Sequence, residues 1–312
     1  MFHTVLGLDI YKRGDVFMAR NAAFSSEIIY FADEIRDIFF KAPILERIAK
    51  GYSFVEGPVF KQSNQTLYFT DFPNETIHKW DAINGAEVFT NEGLRAIGLT
   101  LDESEQIIAA QSRLRRVAVV NELASEGIVD NIDGKKFNSI NDVIVAKNGD
   151  ILFTDPFSKM LEVESEIGIN GVYWWHKLTR GVTVVNDEFS WPNGLCLSLD
   201  EEILYVNDTG ENTIYKIKKD STGNFGKREV FANVDPSYGD GAPDGMKVDK
   251  YGNVWVTGPG GVWIFDDLGI KQAIIKVPEF VGNFCFGGEL RDEIYFAASK
   301  SVYKMKLPHA IY

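Results

Sequence analysis

Four short oxygen-bearing motifs stand at matching places along the chain. They are Glu56 in Val55-Glu56-Gly57-Pro58, Asn141 in Asn141-Asp142-Val143, Asn193 in Asn193-Gly194-Leu195 and Asp244 in Asp244-Gly245-Met246. Two carboxylates and two amide carbonyls are hard donors; brought to one point they suit Ca²⁺, with water completing the shell. The histidines His3, His78, His176 and His309 are scattered, and Cys196 and Cys285 lie far apart, which disfavours a dedicated Zn²⁺ site. Taken singly, each motif reads better as a turn, because Asn-Asp, Asn-Gly and Asp-Gly are common turn dipeptides. The shared offset reverses that reading. Glu56, Asn141 and Asn193 lie twelve residues before Tyr68, Phe153 and Tyr205, and Asp244 lies eleven before Trp255.

Those aromatic residues belong to six β-rich segments: Thr66–Asp71, Gln106–Gln111, Ile151–Asp155, Ile203–Asp208, Asn253–Thr257 and Glu293–Ala297. Their central residues Tyr68, Ile108, Phe153, Tyr205, Trp255 and Tyr295 are 40, 45, 52, 50 and 40 residues apart. A strand-built period of this size is the mark of propeller blades. Turn signals such as Lys147-Asn148-Gly149-Asp150 separate each segment from the motif before it, so every unit reads strand, turn, strand. The offsets repeat at six places, which argues against a β-sandwich. The sequence therefore predicts an all-β, six-bladed β-propeller over residues 45–312, with a short N-terminal extension over 1–44. In that extension Phe31, Ile35, Ile38 and Phe39 have helical spacing. Either the N-terminal segment or the Lys300–Leu307 strand is expected to close the ring. The innermost strand of each blade would deliver Glu56, Ile97, Asn141, Asn193, Asp244 and an apolar Phe284/Cys285 pair to the axis.

The chain has 312 residues and a formal net charge of −13, which repels phosphate backbones and sets nucleic acid aside as a partner. Both cysteines sit in apolar runs, so buried free thiols are expected rather than a disulfide. No run of 18 apolar residues is present, and Met1–Arg13 lacks the basic-then-apolar order of a secretory leader. A cytoplasmic location with no membrane partner is the expectation. The sequence leaves the oligomeric state open.

The motifs together resemble the family of gluconolactonases, senescence marker protein (regucalcin) and luciferin-regenerating enzyme. The matching stretches begin with Phe54-Val55-Glu56-Gly57-Pro58, Phe137-Asn138-Ser139-Ile140-Asn141-Asp142-Val143 and Phe153-Thr154-Asp155-Pro156. They continue through Gly171-Val172-Tyr173, Trp191-Pro192-Asn193-Gly194-Leu195, Pro243-Asp244-Gly245-Met246 and Phe286-Gly287-Gly288. The resemblance covers about residues 45–307, and the bacterial gluconolactonase branch is the most similar. It implies a six-bladed propeller with one divalent metal on the axis, Ca²⁺ first, with Zn²⁺, Mn²⁺ or Fe²⁺ as alternatives. Glu56, Asn193 and Asp244 would be ligands, and Asn141 either a fourth ligand or a substrate contact. It also puts Asn138, Asp155 and Arg116 forward as substrate contacts.

The implied activity is hydrolysis of a lactone or related ester, with the metal polarising the carbonyl. Asp244, Asp208 or Asp155 is the candidate base, and Asn141 orients the substrate. Trp191 or Phe157 is a candidate cover for an apolar substrate. Two departures narrow the substrate: the second blade reads Ile97-Gly98-Leu99 where the family usually has Asn-Gly-Leu, and the next strand reads Ala109-Ala110-Gln111 in place of a Glu-His pair. Both remove polar partners that a polyhydroxylated lactone would use. Three other readings share parts of the pattern. One is a phosphotriesterase of the diisopropylfluorophosphatase type, with a similar Glu-Asn-Asn-Asp set. Another is a non-enzymatic calcium-binding propeller. The last is a metal-free strictosidine synthase-like propeller, whose usual lack of acidic ligands fits less well.

Overall fold

The computed structural model describes residues 10–13, 16–19, 22–158 and 164–312; His3 and residues 1–9 of the stretch read for a leader fall outside them. Six antiparallel sheets form a six-bladed β-propeller. The first strands of successive blades are Val55–Lys61, Ala96–Leu101, Val143–Val145, Pro192–Leu197, Met246–Val248 and Val281–Gly287. Each touches the next and the last returns to the first, so they ring the axis.

The second strands, among them Thr66–Asp71, Ile107–Gln111 and Ile151–Asp155, are buried along their whole length. Each is covered by a neighbouring blade on both faces, which is why these segments read as continuous apolar runs rather than alternating ones. Turns between the first two strands are held locally: Asp249 Oδ1 accepts from the backbone N–H groups of Tyr251 and Asn253, at 2.9 Å each.

The chain's N-terminal part closes the ring. Ile44–Lys50 pairs with the last strand, Ser301–Lys306, as the fourth strand of blade six. Ala23–Ser25 and Ile28–Tyr30 add fifth strands to blades six and five. The helical spacing at 31–39 produces only a short 3-10 turn, Glu34–Ile38, which buries Ile35. Phe39 packs against Trp255, with ring centroids 6.2 Å apart. Both cysteines are free and buried. No helix among the described residues is long and apolar enough to cross a membrane.

A recurring aspartate fixes how the chain enters the innermost strands. Asp71 accepts from Ser53 and Phe54 N–H, Asp155 from Asn138 and Ser139 N–H, and Asp208 from Ser190 and Trp191 N–H. Each carboxylate stands at the end of a second strand and grips the backbone two or three residues before Glu56, Asn141 or Asn193. Charge-assisted hydrogen bonds of this kind are among the stronger ones available to a fold.

Candidate metal centre

The glycines of the motifs are required by close approach between blades. A Cβ on Gly57 would lie 2.2 Å from the Ile97 carbonyl, and one on Gly194 would lie 1.8 Å from the Asp244 carbonyl. With glycine there, the carbonyl that follows each axial side chain can be caught by the preceding blade. Thr70 Oγ1 donates to Ile97 O at 3.1 Å, Thr154 Oγ1 to Asn193 O at 2.7 Å and Thr257 Oγ1 to Gly282 O at 3.3 Å. Asn207 Nδ2 plays the same part for Asp244 O. This pattern corrects one expectation. The axial position of blade six is Gly282, not the Phe284/Cys285 pair: it stands three residues before Cys285, the partner of Tyr295, as Glu56 and Asn193 stand three before Val59 and Cys196, the partners of Tyr68 and Tyr205. Gly282 also makes room: a Cβ there would lie 2.0 Å from Glu56 Oε1.

Glu56, Ile97, Asn141, Asn193 and Asp244 line one cavity of about 490 Å³ at the mouth of the channel. Glu56 is 3% exposed; its Oε2 accepts from Gly57 N–H at 2.8 Å, while its buried Oε1 has no protein partner. Asn193 is 5% exposed, and its Nδ2 donates to Thr209 Oγ1 at 3.0 Å. Thr209 in turn donates to Pro243 O at 2.7 Å, so the amide is oriented and Oδ1 is left unpartnered. Burial raises the Glu56 carboxyl above its usual range, with Asp142 adding to the shift and Gly57, Asn283 and Lys247 opposing it. Burial also raises Asp244, and the nearby Glu56 and Asp142 charges push it further.

Two repelling carboxylates and two orphaned oxygens are unfavourable by themselves, because each buried polar atom without a partner is costly. A hard divalent cation relieves all of these terms at once. These donors therefore fit one, and Glu56, Asn193 and Asp244 would hold it, with Asn141 beside them on the cavity wall. Among the described residues no three His, Cys, Asp or Glu side chains gather as a metal group. That agrees with a set in which amide oxygens complete two carboxylates.

The other expected site residues lie elsewhere. Asp208 and Asp155 do not line the cavity, and the free carboxylates expected of them are occupied by backbone N–H groups. Asn138 is 2% exposed and spends its amide on Asp155 O and Ile169 O while accepting from Ser165. Arg116 donates to Gln111 and Ser125 within its own blade. Trp191 lines the cavity and Phe157 does not. The sequence reading missed Arg95, which lines the cavity two residues before Ile97, and the aromatic wall of Phe54, Phe72 and Phe280. Phe54 lies 5.5 Å from Phe72 and 5.9 Å from Phe280 between ring centroids.

Comparison with known proteins bears on the same residues. The family model described as "SMP-30/Gluconolactonase/LRE-like region" matches residues 54–300, which includes every residue of the axial set. The chain belongs to this family. Among its relatives, the gluconolactonase of Zymomonas mobilis is 29% identical over 92% of this chain and 87% of its own length. The gluconolactonase XC5397 of Xanthomonas campestris is similar in structure, with a TM-score of 0.84 and 23% identity over 93% of this chain and 98% of that one. A regucalcin from Agrobacterium tumefaciens, described as a calcium-binding protein, gives a TM-score of 0.67 at 19% identity, covering 83% of this chain and 91% of that one. The two structural likenesses establish the propeller fold; the family model and the Zymomonas enzyme carry the kinship.

Proposed function

We propose that this propeller is a metal-dependent lactonase. The observation that carries the reading is the convergence of unpartnered oxygens from separate blades, Glu56 Oε1 and Asn193 Oδ1 with the Asp244 carboxylate, in a single cavity. Membership of a family that includes gluconolactonases supports the reaction class, and the calcium-binding regucalcin supports Ca²⁺ as the ion. When bound, the ion supplies Lewis-acid polarisation of the lactone carbonyl and offsets charge on the oxyanion.

The chain's own residues then divide the remaining work. Among the described residues lining the cavity, only Glu56 and Asp244 carry carboxylates. Glu56 is tied to Gly57 by one oxygen and nearly sealed, so Asp244 takes the proton from the attacking water. The water oxygen bonds to the acyl carbon, the ring C–O bond breaks, and the leaving oxygen receives that proton to give a hydroxy acid. Asn141 orients the ester oxygens from the cavity wall. Phe54, Phe72, Ile97, Pro156, Trp191 and Phe280 make an apolar enclosure, so the substrate is a lactone with an apolar face rather than a fully hydroxylated sugar lactone.

The test is hydrolysis followed by pH-stat over gluconolactone and simple aliphatic and aromatic lactones. EDTA-stripped protein would be compared with protein reloaded with Ca²⁺, Zn²⁺ or Mn²⁺. Metal-dependent turnover that favours the apolar lactones is expected. No turnover of any lactone while metal still binds would overturn the lactonase reading and point to phosphotriesters or to calcium binding alone.

A further inference from the structure

Three residues beyond the axial position, the innermost strands carry a second repeat. There they pair with Tyr68, Tyr205, Trp255 and Tyr295 of the second strands. Each ring is buried and packs towards the next blade. Tyr68 clusters with Leu99 and Ile107, Tyr205 with Met246 and Val254, Trp255 with Phe284 and Ile294, and Tyr295 with Phe60 and Leu67. Blade three has Leu152 at this place, and Trp174 and Phe225 supply the rings there instead, their centroids 5.3 Å apart. Blade two has Ile108, paired with Thr100, and so is short of a ring.

Beside Ile108 lies a cavity of about 640 Å³ between blades two and three. Its apolar walls are Ile108, Val119, Ile128, Val145, Ile151 and Trp175. Its rim includes the turns that follow the first strands of both blades, so it opens on the face opposite the channel mouth. Among the described residues, none lines both this cavity and the channel mouth.

The charged side chains on that rim are engaged, with one exception. Asp102 accepts from the Ser104 and Gln106 N–H groups, and Glu201 accepts from Lys147 N–H. Lys147 Nζ donates to Leu199 O, and Lys177 Nζ donates to Glu103 Oε1. Arg180 differs: among the described residues its guanidinium has no hydrogen-bond or ion-pair partner. It lies over the Trp175 ring, 5.4 Å from the centre. An open guanidinium beside an apolar wall calls for an anion with an apolar body.

We propose that the crevice between blades two and three is a second ligand site, which takes a carboxylate with a ring-sized apolar body. The body fills the space that an aromatic ring fills in blades one, four, five and six. The carboxylate meets the planar fork of Arg180, which matches it in two parallel hydrogen bonds. The site stands apart from the channel mouth and does not depend on the metal or on lactone hydrolysis.

Calorimetric titration of sodium 2-naphthoate into the protein as purified tests this. Wild type is expected to bind it with a Kd below about 1 mM. Arg180→Gln should weaken binding about tenfold, and so should replacing the probe by neutral 2-naphthylmethanol. Ile108→Tyr, which supplies the ring found in other blades, should abolish binding. Should that variant fail to fold, Val119→Phe fills the same crevice from the third strand under the same criterion. No binding to wild type overturns the proposal. Unchanged affinity in Arg180→Gln or in the filled variant also overturns it, because the probe then sits elsewhere, such as the channel mouth.

Discussion

Two sets of acidic side chains in this propeller do opposite things. Asp71, Asp155 and Asp208 turn back onto the chain and fill their oxygens with backbone N–H groups. Glu56 and Asp244 line the channel mouth, where the glycines beside them let neighbouring blades close in and where Glu56 Oε1 is left unfilled. Residue type therefore says little about role here. Whether the carboxylate is already satisfied by the protein says much more, because a satisfied carboxylate stiffens a loop and an unsatisfied one needs a ligand.

The largest effect should come from breaking the unsatisfied set. Asp244→Ala is expected to abolish Ca²⁺ binding and to lower kcat/KM by about a thousandfold or more, with the far-ultraviolet circular dichroism of the fold retained. Full activity in this variant would remove the residue from the site. The satisfied set should fail differently. Asp208→Ala leaves the Ser190 and Trp191 N–H groups without their acceptor and should cost about 3 kcal/mol of stability. Urea denaturation reads that loss, and titration of the folded variant should still find the metal site.

A smaller, pH-dependent effect distinguishes Asp155. Burial pushes its carboxyl up to about 7, with the Asn138 and Ser139 N–H groups pulling the other way. A carboxyl raised on folding favours the native state while protonated, and that contribution is lost as pH climbs from the ordinary carboxylate range through about 7. Unfolding free energies of wild type and Asp155→Asn, compared across that window, should move against the wild type as pH rises; parallel curves would show that Asp155 keeps an ordinary carboxyl. The smallest change expected is at the cavity wall. Ile97→Asn should raise turnover of polyhydroxylated lactones by severalfold, read as kcat/KM against an apolar lactone, and no change would mean that position 97 does not face the substrate.

The blades were legible in the sequence because their second strands are buried on both faces, which writes a continuous apolar run at a fixed period. Glu56, Asn141, Asn193 and Asp244 were legible because each sits before a close contact between blades, which fixes the residues around it. Gly282 escaped because it carries no side chain, so no oxygen-bearing residue marks the axial position of blade six. Asp155 and Asp208 looked free because a side chain's hydrogen bonds to the backbone N–H groups of a distant segment leave no trace in local spacing. The closing strand, Ile44–Lys50, has too short and mixed a burial pattern to announce itself.

That closing strand gives synthesis an order. Lys50 pairs with Ser301, and Leu45 with Met305, so a strand that leaves the ribosome before blade one must wait for the third strand of blade six. Until then blade six lacks its fourth strand, the circle is open, and strand edges are bare at both sides of the gap. Such long-range pairing is slow to form, and bare edges invite pairing with other chains. A circular permutant whose ends fall in a loop between two blades, with residues 44–50 joined directly after 301–306, would make that pairing local and should fold faster while keeping the same ring.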